Sequence, residues 1–229
     1  AHEDMGNIYA GKGLMTEAVR EYEAALRLEP ENVLSMCNVG IFYLRNGRHD
    51  EAFQKFLTAV KLKQDSPEAH YCLGLFYYVR NYLDESIHDY WTALQLRPKY
   101  PDAHLGLGLS YYRLGRINEA IEQYKATLRL KPYYPEARHD LGLAYYNQGR
   151  LREAIQEYLA ALKLKPDYDI ALRDIGNAYL SAGSIDSAIV YYQAAVRLNP
   201  GFAEVHNYLG LAYRQKGLMK EAMGEFETD

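Results

Sequence analysis

A few stretches of this chain invite a chemical reading. GNIYAGKG, residues 6–13, has the glycines and lysine of a phosphate-cradling loop, whose backbone N–H groups surround phosphates while the lysine reaches them. It is one residue short, and Gly13 stands where serine or threonine should coordinate magnesium. GLGLSY, from Gly106, lacks the third glycine of a dinucleotide loop, and both loops would require a preceding strand. The histidines form no H-E-x-x-H, and His49 and His88 fall on different helical rows. His139 and Asp140 are sequence neighbours, which on a helix point roughly 100° apart and make a poor dyad. Cys37 and Cys72, with no C-x-x-C, exclude a disulfide framework and a cysteine-rich zinc site. No nucleophile–base set is readable, so no catalytic residue, metal or cofactor is expected.

The elements that carry these residues show why. Gly6, Gly40, Gly74, Gly108, Gly142, Gly176 and Gly210 recur every 34 residues. A tyrosine follows each by three residues, from Tyr9 to Tyr213. Twelve residues after each glycine comes Ala18, Ala52, Ser86, Ala120, Ala154, Ala188 or Ala222, and four further on a large ring: Tyr22, Phe56, Tyr90, Tyr124, Tyr158, Tyr192, Phe226. Prolines 30, 98, 132, 166 and 200 close the units, with Gln64 the substitution in that row. Such a period marks a stacked-repeat solenoid. The apparent phosphate loop is two of these rows seen once.

Each unit spells two helices. Pro101 suits a first helical turn and Gly115 a helix end. The second helices are expected to start at cap–acid pairs, Thr16-Glu17, Asp50-Glu51, Asp84-Glu85 and Asn118-Glu119, and to end in bases such as Arg129 and Lys131. The interior glycine costs a helix roughly 0.5–1 kcal/mol, which close packing of its row against the alanine row is expected to offset. His2, His70, His104 and His206 share one row and are read as packing into the helix–helix core.

The glycine, tyrosine, alanine, aromatic and proline rows together resemble the tetratricopeptide repeat (TPR) family, in seven copies at about 1–32, 33–66, 67–100, 101–134, 135–168, 169–202 and 203–229, the first and last incomplete. Helical periodicity is under way at Ala1 and still running near Asp229, so the chain reads as a segment of a longer protein. The resemblance implies an all-α fold, an α-solenoid of antiparallel helix pairs in a right-handed superhelix, with first helices lining the concave face. Two family subtypes do not transfer. A carboxylate clamp would need bases where Glu3, Glu68 and Cys72 stand beside the matching Asn7 and Asn38, and an asparagine ladder would need more than Asn38 in the row Asp4, Asn38, Cys72, Gly106, Asp140, Asp174, Tyr208.

Projection on the family's geometry places Leu34, Cys37, Asn38, Ile41 and Leu44 on the concave face, followed by Tyr71, Cys72, Leu75 and Tyr78. Leu109, Tyr112 and Arg113 come next, then His139, Leu143 and Tyr146. Tyrosine and aliphatic side chains beside polar ones suit peptide recognition; the same residues could equally pack only between adjacent repeats. Ile41, Tyr71, Leu75, Tyr78, Leu109, Tyr112, Arg113, His139, Leu143 and Tyr146 are the candidate partner-binding residues. The chain is thus read as a non-catalytic protein-interaction scaffold. The alternative is a regulatory or substrate-docking arm of a larger enzyme, and a third reading is self-association through the terminal repeats. The net charge of −4 gives no field for nucleic acid, and no apolar run approaches the roughly 18–20 residues of a membrane span. Glu68, Asp102, Glu136 and Glu204 form an acidic edge, which suggests a partner with apolar anchors and some Lys or Arg. The compartment stays open, with the cytoplasm as default.

Overall fold

Six glycines with φ of 72° to 81°, Gly13, Gly47, Gly115, Gly149, Gly183 and Gly217, each stand just past the end of a helix, where side chains are disfavoured. Asn81 takes this place in the third pair at φ 62°, the left-handed region asparagine tolerates. These turns punctuate a computed structural model that describes residues 1–227 as fourteen helices, with no strand among the described residues.

Two compact units, Ala1–Gly115 and Arg116–Asp229, divide the chain at the turn inside the fourth predicted repeat. Unit one holds α1 (His2–Gly11), α2 (Met15–Leu28), α3 (Val33–Arg45), α4 (His49–Leu62), α5 (Pro67–Val79), α6 (Leu83–Leu96) and α7 (Pro101–Arg113). Unit two holds α8 (Ile117–Leu130), α9 (Pro135–Asn147), α10 (Leu151–Leu164), α11 (Asp169–Ser181), α12 (Ile185–Leu198), α13 (Ala203–Gln215) and α14 (Met219–Phe226). Within each unit α1–α2, α3–α4, α5–α6, α9–α10, α11–α12 and α13–α14 pack as hairpins, and second helices also pack on the first helix that follows them. The fold class is all-α, a solenoid of antiparallel helix pairs.

The predicted cap row needs correction. The second helices begin one residue earlier than Thr16, Asp50, Asp84 and Asn118, with Leu14, Arg48, Tyr82 and Arg116 at the N-cap and no side-chain cap bond there. The turn glycine sets this register, because the residue after it already donates its N–H five residues back, as Arg48 does to the Tyr43 carbonyl. The acids then lie in the first turn, where they suit the helix dipole. Arg48 and Arg116 reach Glu51 and Glu119 through Nε at 2.9 Å, a charged counterpart of the capping box. Genuine side-chain caps occur on two first helices, from Asn32 to the Ser35 N–H and from Ser66 to the Ala69 N–H.

The glycine row faces something larger than alanine. The ring sixteen residues on lies directly over it: Tyr22 on Gly6, Phe56 on Gly40, Tyr90 on Gly74, Tyr158 on Gly142 and Tyr192 on Gly176. A Cβ on Gly142 would stand 2.6 Å from the Tyr158 ring, and one on Gly74 2.9 Å from Tyr90. These rings are among the most deeply buried side chains of the molecule. The alanine row contributes backbone proximity: Ala154 O would be 3.2 Å from the added Gly142 Cβ, and the Ser86 hydroxyl donates to Gly74 O at 2.9 Å. Glycine thus accommodates a rigid ring and a close backbone together. No helix among the described residues is long and apolar enough to cross a membrane.

Candidate partner-binding face

In unit one, Ile41, Tyr71, Leu75, Tyr78, Leu109 and Tyr112 are each half-buried on α3, α5 and α7, and Arg113 is exposed. Leu44, Cys37 and Cys72, projected onto the same face, are instead buried, the cysteines at 1% and 2% exposure. Their burial follows from how neighbouring first helices meet: a residue touches the one 35 positions on, which brings Cys37 against Cys72. That contact, together with burial, holds the Cys72 thiol well above its ordinary value, so it is a packed thiol with little thiolate character. The same spacing joins Arg113 Nη1 to the Tyr78 carbonyl at 3.1 Å, with the guanidinium 4.4 Å above the Tyr78 ring. Tyr71 packs into a ring cluster, 5.8 Å from Tyr90 and 5.2 Å from Tyr100.

Unit two carries the remaining candidates on α9, and there the face is polar. His139 is not open to a partner. It is buried between the rings of Tyr158 and Tyr168, its Nε2 sits 2.7 Å from Asp174 Oδ2, and its Nδ1 is 3.7 Å from Asp140 Oδ1. Burial alone would depress the imidazole, but the Asp140 and Asp174 carboxylates outweigh it and raise its pKa to about 9. Asp174 also accepts from Arg173 Nε at 2.8 Å, and Arg173 Nη1 donates to Glu204 at 2.9 Å. Leu143 and Tyr146 stay half-buried, with the Tyr146 hydroxyl 2.9 Å from Ser181 Oγ.

Two further expectations change. The acidic edge is partly neutralised, since Glu68 pairs with Arg97 and Glu204 with Arg173. The histidine row is hydrogen-bonded as well as packed, with His206 buried. His70 Nδ1 meets Asp89 at 2.8 Å while its Nε2 meets the Gln64 carbonyl, and His206 does the same with Glu225 and Pro200 O. Arg138 in this row reaches Glu157 and Pro132 O, and His2 reaches Glu21. In these four the acid lies nineteen residues on, a regularity present in the sequence that row-by-row reading of single positions misses; at His104 that place holds Gln123, although His104 Nε2 still meets the Pro98 carbonyl at 3.0 Å. Asn7, one of the asparagines matching a carboxylate clamp, is engaged by the Tyr22 hydroxyl at 2.7 Å, as Asn177 is by Tyr192. Gly6 and Tyr9 of the apparent phosphate loop lie within α1. Among the described residues no three His, Cys, Asp or Glu side chains gather as metal ligands would.

Comparison with known proteins agrees with the fold. Residues 35–228 match the family model described as the cilia and flagella-associated protein 70 C-terminal domain, and residues 1–32 match the tetratricopeptide repeat. The crystal structure of MamA is 31% identical, with a TM-score of 0.65, covering 68% of this chain and 91% of that one. PilW, described as a type IV pilus biogenesis factor, is 23% identical at a TM-score of 0.77, covering 89% and 94%. YrrB, described as a TPR protein with an unusual peptide-binding site, is 21% identical at 0.65, covering 86% and 98%; at this identity both likenesses speak to fold alone. No curated protein matches the chain.

Proposed function

We propose, since the chain belongs to the tetratricopeptide-repeat family, that it is a non-catalytic scaffold holding a segment of a partner protein against its first helices. The observation that carries this reading is the half-buried aliphatic and tyrosine set on α3, α5 and α7: Ile41, Leu75, Tyr78, Leu109 and Tyr112. Side chains that packed only between repeats would be expected to close over one another, whereas these keep surface for a further contact. Tyrosine offers a large area at low entropic cost and a hydroxyl for orientation, which suits hot spots. Leu143 and Tyr146 of unit two present the same chemistry. YrrB, of the same fold, is described as having a peptide-binding site, which lends support by analogy.

The test separates binding from stability. Tyr112→Ala and Tyr146→Ala should each weaken binding of affinity-purified partners by more than about 1 kcal/mol while leaving a folded chain. If melting temperature falls and affinity does not, the tyrosines only pack and the face is not the binding surface.

A further inference from the structure

Charge on the unit-one face is distributed differently from the expectation of a basic partner. Two of its acids are held within the chain: Glu68 by Arg97 and by the Ser66 hydroxyl at 3.1 Å, Glu3 by Asn32 Nδ2 at 2.8 Å. The arginines at the C-terminal ends of its first helices are not. Arg45 ends α3 and Arg113 ends α7 at the same register position, both are exposed, and neither meets a carboxylate among the described residues. Arg113 is also oriented: stacked over Tyr78 and anchored through Nη1 to that residue's carbonyl, it has Nη2 and Nε left to donate. A guanidinium fixed in this way loses little freedom on accepting a carboxylate in bidentate geometry.

We propose that the unit-one face takes an acidic peptide segment. Its apolar side chains would rest on Ile41, Leu75, Leu109 and Tyr112, an Asp or Glu carboxylate would dock on Arg113, and a second carboxylate would be read by Arg45. The inference rests on the scaffold reading above and adds the chemistry of the partner. It replaces the lysine- or arginine-bearing partner suggested by the acidic row, because the paired acids have little charge left to offer while the unpaired arginines keep theirs.

A display library of random peptides selected on the full chain tests it. The expected pool combines Asp or Glu with Leu, Ile or Phe. Arg113→Gln should weaken a selected peptide about tenfold, the scale of one charged hydrogen-bonded contact. Replacing the peptide's acid by its amide should cost the same on the wild-type chain and nothing more on the variant. Arg113→Lys, with charge but no fork, should recover only part of the loss. A pool that is neutral or rich in Lys and Arg overturns the proposal, as does full affinity in Arg113→Gln. If Tyr112→Ala still abolishes binding in that case, the scaffold reading stands and only the acidic partner is lost. If neither substitution matters, or no peptide is selected, the binding face itself is wrong.

Discussion

Ser35 and Ser86 show how a single hydroxyl is decided by its partner. Ser35 is fully buried with its Oγ unbonded, and the positions in register with it are Ala69, Ala103, Ala137 and Ala171. Ser35→Ala should therefore leave stability unchanged or raise it by up to about 1 kcal/mol; a clear drop in the denaturant midpoint would mean that the hydroxyl has found a partner. Ser86 donates to Gly74 O and lies 2.9 Å from Ser110 Oγ, so Ser86→Ala should cost on the order of 1 kcal/mol. His139 gives the pH counterpart. Its folded pKa of about 9 lies above the ordinary 6.5, so its stabilisation is complete below about pH 6.5 and is lost as pH rises through 9. At ~1.4 kcal/mol per unit the loss is on the order of 3 kcal/mol. Urea midpoints between pH 7 and 10 should fall more steeply for the wild type than for His139→Gln; parallel slopes would show that the imidazole is not charged in the folded chain.

At the scale of helices, the side chain at His2, His70, Arg138 and His206 ties its own first helix to an acid on the second and, in the last three, to a carbonyl in the preceding loop. Where that row is apolar, at Met36 and Leu172, the residue nineteen on is Lys55 or Tyr191, not an acid. At His104 it is Gln123, so the acidic partner belongs to four of the repeats and not to the whole row. Arg138→Met alone should strand the partly buried Glu157 and cost about 1 kcal/mol, while adding Glu157→Lys should recover most of it, the coupling a double-mutant cycle reads. If Glu157→Lys has the same effect in the Arg138→Met background as in the wild type, so that the two changes simply add, the side chains act independently. This pairing also marks the limit of what was legible in the sequence. Glycine, alanine and ring rows were readable because a steric requirement recurs at the same position in every repeat. The cap register was not, because the turn glycine's hydrogen bonds, not the Asp or Thr, decide where the helix begins. Cys37 and His139 were misplaced on the face because contact with the next first helix buries them, and projecting one helix at a time omits that neighbour. The Glu68–Arg97 and Arg173–Glu204 pairs were hidden for the same reason, since long side chains reach across rows that periodicity keeps apart.

For the molecule as a whole, stability is built from hairpins and the contacts between adjacent ones, so a local fault should travel by neighbourhood. Gly142 is the place to introduce one. An added Cβ already falls 2.6 Å from the fully buried Tyr158 ring and 3.2 Å from Ala154 O, and neither the ring nor the backbone can rotate away. Gly142→Leu should overpack the α9–α10 hairpin at a cost on the order of 1–3 kcal/mol. Amide hydrogen exchange read helix by helix then distinguishes two kinds of molecule. If the contacts are nearest-neighbour, exchange should accelerate most in α9 and α10, next in α8 and α11, which pack on them, and least in α1 to α4 of the other compact unit. If the whole chain unfolds as one cooperative body, every protected amide should speed up by the same factor. The graded outcome also bears on binding: a face assembled from semi-independent hairpins can adjust one repeat at a time to a partner segment, so a ligand gripping only α3, α5 and α7 should protect their amides and leave those of α13 and α14 unchanged.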